Sequence, residues 1–145
     1  MKRFLPDVNL VLALLDPMHV HHEAAHQWYG DEVPKVLLLC PLVENGVIRV
    51  ASQPRYPNCM GTSARVREIM QVFRNQVAHE SVARDVSLLD DEILLKPEAL
   101  APSRVSDLYL LALAVANDGR FATFDQRIPA EAVRGGDAGL EVVGI

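Results

Sequence analysis

Four acidic residues and one asparagine are the groups whose spacing in this chain could support chemistry. Asp7 follows the short apolar segment Phe4–Pro6, and Glu44 comes shortly after the run "KVLLLC". Asp107 stands directly before the apolar stretch Leu108–Ala116, and Asp125 directly after Phe121–Phe124. Each has an ordinary explanation. Asp7 can cap a helix that begins at Val8, Glu44 and Asp107 can favour a helix dipole by ~0.3–1 kcal/mol, and Asp125 can start a turn. Together they suggest more. Ligands of an open parallel sheet sit beyond the carboxyl ends of its strands, and all four acids fall on that edge. Like charges gathered in a partly buried cleft repel and raise some pKa values, which points to a positive group among them. Hard carboxylate oxygens suit Mg²⁺ or Mn²⁺. One or two such ions can activate a water and stabilise the leaving oxygen of a phosphodiester. Asn9, close to Asp7, could orient a carboxylate or a water as a supporting group. If the metal-free cluster stores repulsion, Asp125→Asn in a chelator should be no less stable than the wild type.

The elements needed to position these acids can be read from the pattern. Phe4–Asp7 is a short strand weakened by Pro6, followed by an apolar helix Val8–Leu15 that stops at Asp16-Pro17. His19–Tyr29 reads as a more polar helix. Lys35–Cys40, between Pro34 and Pro41, reads as a buried parallel strand. A helix follows over Pro41–Ser52, with Pro41 near its first turn, then a loop over Gln53–Gly61. Thr62–Val77 is amphipathic, with Val66, Ile69, Met70 and Phe73 on one face. Ala83–Leu88 is a candidate strand, Asp90–Leu95 a helical turn or short helix, and Ala99–Arg104 a connection. Val105–Asn117 is a helix closed by Asp118-Gly119. Phe121–Phe124 and Glu141–Ile145 are the last strands. Strands alternating with helices predict one α/β domain over residues 1–145, with a central, mainly parallel sheet in three layers.

The totals narrow the function classes. At 145 residues, half of them hydrophobic, the chain can bury a sizeable core. A net charge of −5 gives no overall basic footprint for nucleic acid. Cys40 and Cys59 make no metal or disulfide pattern and read as cytosolic thiols. The opening "MKRFLPDVNLVLALLD" imitates a signal peptide, but Pro6, Asp7 and Asn9 interrupt it and no small-residue cleavage site follows. No apolar run approaches the ~20 residues of a membrane span, so the expected location is the cytoplasm.

Two further patterns compete for attention. "HEAAH" (His22–His26) matches H-E-x-x-H, in which two histidines share a helix face and the glutamate acts as base. Zinc then needs a third protein ligand, and Tyr29 and Glu32 occupy the places of the extended motif's glycine and histidine. The other reading is a half-exposed helix with His19, His22 and His26 on one stripe. Arg49, Arg55, Arg65, Arg67 and Arg74 form a local basic strip. Such charges are usually a solvated face, though they could hold RNA phosphates beside the acidic edge, with Tyr56 available to stack on a base. The alternatives to a nuclease are a zinc peptidase acting through "HEAAH" and a non-catalytic α/β interaction or signalling module. A phospho-acceptor domain would need a lysine near the last strands, and none lies beyond Lys96.

Three blocks, "LPDVNLVLALLD", "CPLVENGVIRV" and "SDLYLLALAVANDGRFATFD", look like the acidic blocks of PIN-domain ribonucleases. More narrowly, the chain resembles VapC-type toxins of toxin–antitoxin pairs. The resemblance runs from Leu5 to at least Asp125 and also takes in "HVHHEAAHQWY" and "DVSLLD". It implies a PIN-like sheet of parallel strands between helices and endoribonuclease activity dependent on Mg²⁺ or Mn²⁺. It also implies homodimerisation and inhibition by a small cognate antitoxin protein. The family's four acids carry over onto Asp7, Glu44, Asp107 and Asp125, as both metal ligands and catalytic residues.

Overall fold

The computed structural model describes residues 2–31 and 33–145. Glu32, read above against the extended zinc motif, lies outside the described residues. Among the described residues, five strands form one parallel sheet: β1 (Lys2–Pro6), β2 (Lys35–Leu39), β3 (His79–Ser81), β4 (Arg120–Thr123) and β5 (Leu140–Val142), in the order β3-β2-β1-β4-β5. The helices are α1 (Val8–Leu15), α2 (His22–Tyr29), α3 (Pro41–Ala51), α4 (Ser63–Gln76), α5 (Val105–Ala116) and the single-turn α6 (Gly136–Gly139).

The strand order decides which helices share a face. From β1 the chain steps outward to β2 and β3, then returns past β1 to β4 and β5 on the other side. Right-handed crossovers therefore place α1 to α4 on one face and α5 with α6 on the other. The packing agrees: α1 meets α2 and α3, α3 meets α4, and α5 meets α6. All five β2 residues are buried, as expected of a strand covered on both faces. The core joins Leu5, Leu37 and Phe121 of the sheet to Leu10 and Val47 on one side and Leu108 and Leu111 on the other.

Pro6 is accommodated by its position. β1 pairs with β2 only through Phe4↔Leu37, whereas its pairing with β4 continues to Pro6↔Ala122. The Asp7 N–H bonds to the Ala122 carbonyl at 3.0 Å. Backbone groups alternate sides along a strand, so the N–H that Pro6 lacks would have pointed past the last β2 partner.

Several expected elements are displaced. The third strand is His79–Ser81, not Ala83–Leu88. Asn117 Oδ1 accepts from the N–H groups of Ala83 and Arg84, both at 3.0 Å, and its Nδ2 donates to the Arg84 carbonyl. This side chain takes up backbone groups that a strand would have used. Helix α2 begins at His22, not His19, because residues 19–21 form a turn in which the His21 N–H donates to the ring of His19 at 3.0 Å. Asp90–Leu95 does form the expected helical turn, the N–H groups of Ile93 and Leu94 both closing on the Asp90 carbonyl at 3.0 Å, and Leu94 makes an isolated antiparallel bridge with Val133. Helix α6 has no apolar periodicity and was not anticipated. A Cβ on Gly139 would come within 2.4 Å of Val115, so its form depends on close approach to α5. The end of α5 follows the expected stop: Asp118 adopts φ 57°, and the N–H groups of Asp118 and Gly119 close on the carbonyls of Val115 and Ala114.

Candidate active site

The sheet brings Asp7, Asp107 and Asp125 to one place. Asp7 leaves the end of β1 and caps α1, its Oδ1 accepting from the Leu10 N–H at 2.8 Å. The capping explanation is thus correct, but it uses only half the carboxylate. Oδ2 accepts from the Thr123 hydroxyl at 2.6 Å. Thr123, on neighbouring β4, is 1% exposed, and its oxygen also accepts from the Asp125 N–H at 3.1 Å. One buried hydroxyl therefore sets both the Asp7 carboxylate and the backbone that carries Asp125. Burial pushes the Asp7 carboxyl above the usual carboxylate range, against the Thr123 and Leu10 hydrogen bonds, and the charges of Asp107 and Asp125 push it further.

Between Asp107 and Asp125 lies a guanidinium. Arg104 Nη1 donates to Asp107 Oδ2 at 3.1 Å and to Asp125 Oδ2 at 2.8 Å. This residue ends a short 3-10 turn (Pro102–Arg104) that runs into α5, placing it one turn before Asp107. The Arg104 bond, followed by the Arg127 N–H at 2.8 Å, holds the Asp125 carboxyl below its ordinary range. The expectation that neutralising Asp125 would relieve repulsion is therefore reversed: in the metal-free protein Asp125 is a paired carboxylate, and its loss removes an attraction.

Glu44 borders the same edge from the first turn of α3, but its side chain faces the α3–α4 groove. Its nearest cation is Arg74, at 4.0 Å. Arg67, Gln71 and Arg74 line this groove of about 180 Å³ with Glu44. The basic strip is therefore divided: Arg67 and Arg74 border the acidic edge, while Arg65 pairs with Glu68 at 3.1 Å. Asn9 is turned to His19, whose Nε2 lies 3.0 Å from Asn9 Oδ1. The Tyr56 hydroxyl donates to Asp16 at 2.8 Å, beside the Asn58 amide at 3.0 Å.

The "HEAAH" histidines have another task. His22 Nδ1 and His26 Nε2 donate to the carbonyls of Ala13 and Leu14, at 2.7 and 2.8 Å, and so satisfy the end of α1. Among the described residues, no group of three or more His, Cys, Asp or Glu side chains is placed to hold a metal ion. For the acids the reason is visible: Arg104 occupies the facing oxygens of two of them, and Glu44 is turned aside. The donor set itself, two carboxylates bridged by a cation with the Asp7 charge close by, has the chemistry of a hard divalent site. Cys40 is buried and Cys59 exposed, both as free thiols, and no described helix is long and apolar enough to cross a membrane.

Arg104 and Thr123 were missed in the sequence, although both left signals. Arg104 stands three residues before Asp107, the spacing of an ion pair on a helix. Thr123 stands two before Asp125, the spacing of one strand face.

No family model matches the chain. Curated proteins do. Ribonuclease VapC44 of Mycobacterium tuberculosis is 42% identical over 133 residues, which is 92% of this chain and 93% of that protein. Ribonuclease VapC38 of the same organism is 34% identical over 83% of this chain and 84% of its own length. Ribonuclease VapC39 is 30% identical over 90% and 94%. Identity of this extent along nearly the whole chain, on a parallel sheet with acids at its carboxyl edge, has one explanation: the chain belongs to the VapC family of PIN-domain toxins.

Proposed function

We propose that this protein is the ribonuclease toxin of a VapBC-type pair, a hydrolase that cuts RNA phosphodiesters within the chain with the help of Mg²⁺ or Mn²⁺. The observation that carries the reading is the gathering of Asp7, Asp107 and Asp125 at the carboxyl edge of the sheet, with one guanidinium bridging the last two. The relatives named as ribonucleases support it. Asp7, Asp107 and Asp125 would hold the ion, with Glu44 completing the set by turning from Arg74. The chemistry supplied there is Lewis acidity, which lowers the pKa of a water and offsets charge on the leaving oxygen.

The chain's own groups do the rest. The Thr123 hydroxyl fixes the Asp7 carboxylate and favours its ionised form, the form that binds a cation or accepts a proton from water. Arg67 and Arg74, beside Glu44, give a strand of RNA a cationic border for its phosphates. Neither a Ser–His nor a Cys–His nucleophile is required. The pair's antitoxin is the expected partner, and a cleft of this charge favours an arginine or lysine from it. Homodimerisation and a cytoplasmic location belong to the same reading and rest on family membership.

Cleavage of structured and single-stranded RNA with Mg²⁺, Mn²⁺ or chelator tests the activity. Asp7→Asn and Asp107→Asn are expected to abolish cleavage while circular dichroism reports an intact fold. Full activity in either folded variant sinks the assignment. Co-expression with the product of the adjacent gene tests the pairing, and failure to associate removes the toxin reading while sparing the nuclease.

A further inference from the structure

We propose that Arg104 is an internal counter-cation that competes with the divalent ion for Asp107 and Asp125, so that loading the site releases its guanidinium from both carboxylates. The inference rests on the metal reading above. A single nitrogen, Nη1, reaches both acids, and it uses Oδ2 of each. Asp125 then has both oxygens engaged, since Oδ1 accepts the Arg127 N–H at 2.8 Å. Both Asp7 oxygens also accept a hydrogen bond, but from neutral donors, and these leave room for a cation. A guanidinium does not, because it repels one.

The two-carboxylate contact fits a device that holds the empty site together. Without a cation, Asp107 and Asp125 would each face the charge of Asp7. With Arg104 between them, the cluster is partly neutralised at the cost of one flexible side chain. Its anchor is firm: the Arg104 N–H closes on the Ala101 carbonyl at 2.8 Å in a turn that begins with Pro102. The side chain is 19% exposed and reaches the acids from the cleft wall. The guanidinium keeps its proton at any working pH, so it can leave only by moving. A divalent ion brings twice its charge, and the displaced guanidinium stays at the cleft as a donor for a phosphate.

A nearby charge shifts a proton's affinity for a carboxylate by roughly ten- to a thousandfold, and a divalent cation competes for the same oxygens. We therefore expect Arg104→Gln to bind Mn²⁺ about tenfold more tightly than the wild type, read as loss of the free Mn²⁺ signal in electron paramagnetic resonance. Its melting temperature in chelator should fall. Asp107→Asn is the control and should bind Mn²⁺ more weakly. In the wild type, Mg²⁺ should shift the Arg104 side-chain ¹⁵N resonance, which a merely structural arginine would not show.

The outcomes separate the two readings. If wild type binds Mn²⁺, Asp107→Asn weakens it and folded Arg104→Gln binds no more tightly, the counter-cation is refuted and the metal site stands. If neither wild type nor Arg104→Gln binds Mn²⁺, both fall. Should Arg104→Gln not fold, the wild-type Mg²⁺ titration decides: an unmoved Arg104 resonance at saturation overturns the proposal.

Discussion

Replacing Thr123 by valine should damage this protein more than the loss of one surface-sized polar group suggests. The side chain is 1% exposed, and valine fills nearly the same space, so packing changes little. Two hydrogen bonds go: the 2.6 Å donation to Asp7 Oδ2 and the 3.1 Å acceptance from the Asp125 N–H. A bond to a charged acceptor contributes about 1.5–3 kcal/mol. An N–H left without a partner costs about 1 kcal/mol more, and the added buried methyl returns about 0.8 kcal/mol. The net loss is about 2–3 kcal/mol, or roughly 5–10 °C in Tm for a domain of this size. The sign with pH follows from Asp7. Its carboxyl already lies above the ordinary range, and Thr123 pulls it down, so valine drives it further up. A carboxyl with a raised folded pKa contributes stability below its unfolded pKa and loses it as pH rises through the folded value. The deficit of Thr123→Val should thus be largest at neutral pH and shrink in acid. The acid limb of the cleavage profile should move to higher pH, because ionising Asp7 becomes harder. Thr123→Ser keeps the hydroxyl and should restore the limb while remaining slightly less stable. Urea melts across pH, with the pH–rate profile of RNA cleavage, measure both effects. An unmoved acid limb in Thr123→Val would refute the claim that this hydroxyl tunes Asp7.

Further outcomes follow from the same contacts. In chelator, Asp125→Asn should be less stable than wild type by about 1 kcal/mol, a value kept low because the ion pair is partly exposed and screened. Asp125 has a depressed folded pKa, so its contribution is present above the ordinary carboxylate range and is lost as pH falls through the folded value. Thermal melts at neutral and acid pH should show the two proteins converging in acid, and equal stability at neutral pH would remove the Arg104 pairing from the account. His22→Ala with His26→Ala should leave metal-dependent cleavage in place yet lower stability by about 1–2 kcal/mol through the uncapped α1 carbonyls. Stoichiometric zinc lost with activity in that double variant would restore the peptidase reading. Asn117→Ala removes three hydrogen bonds between the end of α5 and the segment after β3, and one to the Leu113 carbonyl within α5, and should cost about 2 kcal/mol. Hydrogen exchange should show the Ala83 and Arg84 amides losing protection, and unchanged protection would mean that another contact holds the segment.

Local pattern determined most of the frame of this protein. The run Val36–Leu39 is apolar on both faces, so it had to be an inner parallel strand. Val8–Leu15 and Val105–Ala116 are too apolar to be anything but buried helices, and Thr62 and Asp118-Gly119 mark helix ends by local chemistry alone. The acids at the ends of these segments were legible for the same reason: a charge beside a buried element stands out along the chain. Tertiary structure decided what those acids face. Arg104 reaches Asp125 across 21 positions and Thr123 reaches Asp7 across 116, separations at which periodicity carries no information. The third strand shifted because Asn117, far along the chain, captured backbone groups that local propensity had assigned to a sheet. The "HEAAH" histidines each give one ring nitrogen to the end of α1, a use that the five-residue match along the chain did not show. The charge state of the acidic edge was the least legible feature, because repulsion among carboxylates can be inferred from composition, whereas the one guanidinium placed between two of them exists only once α5 is docked against β4.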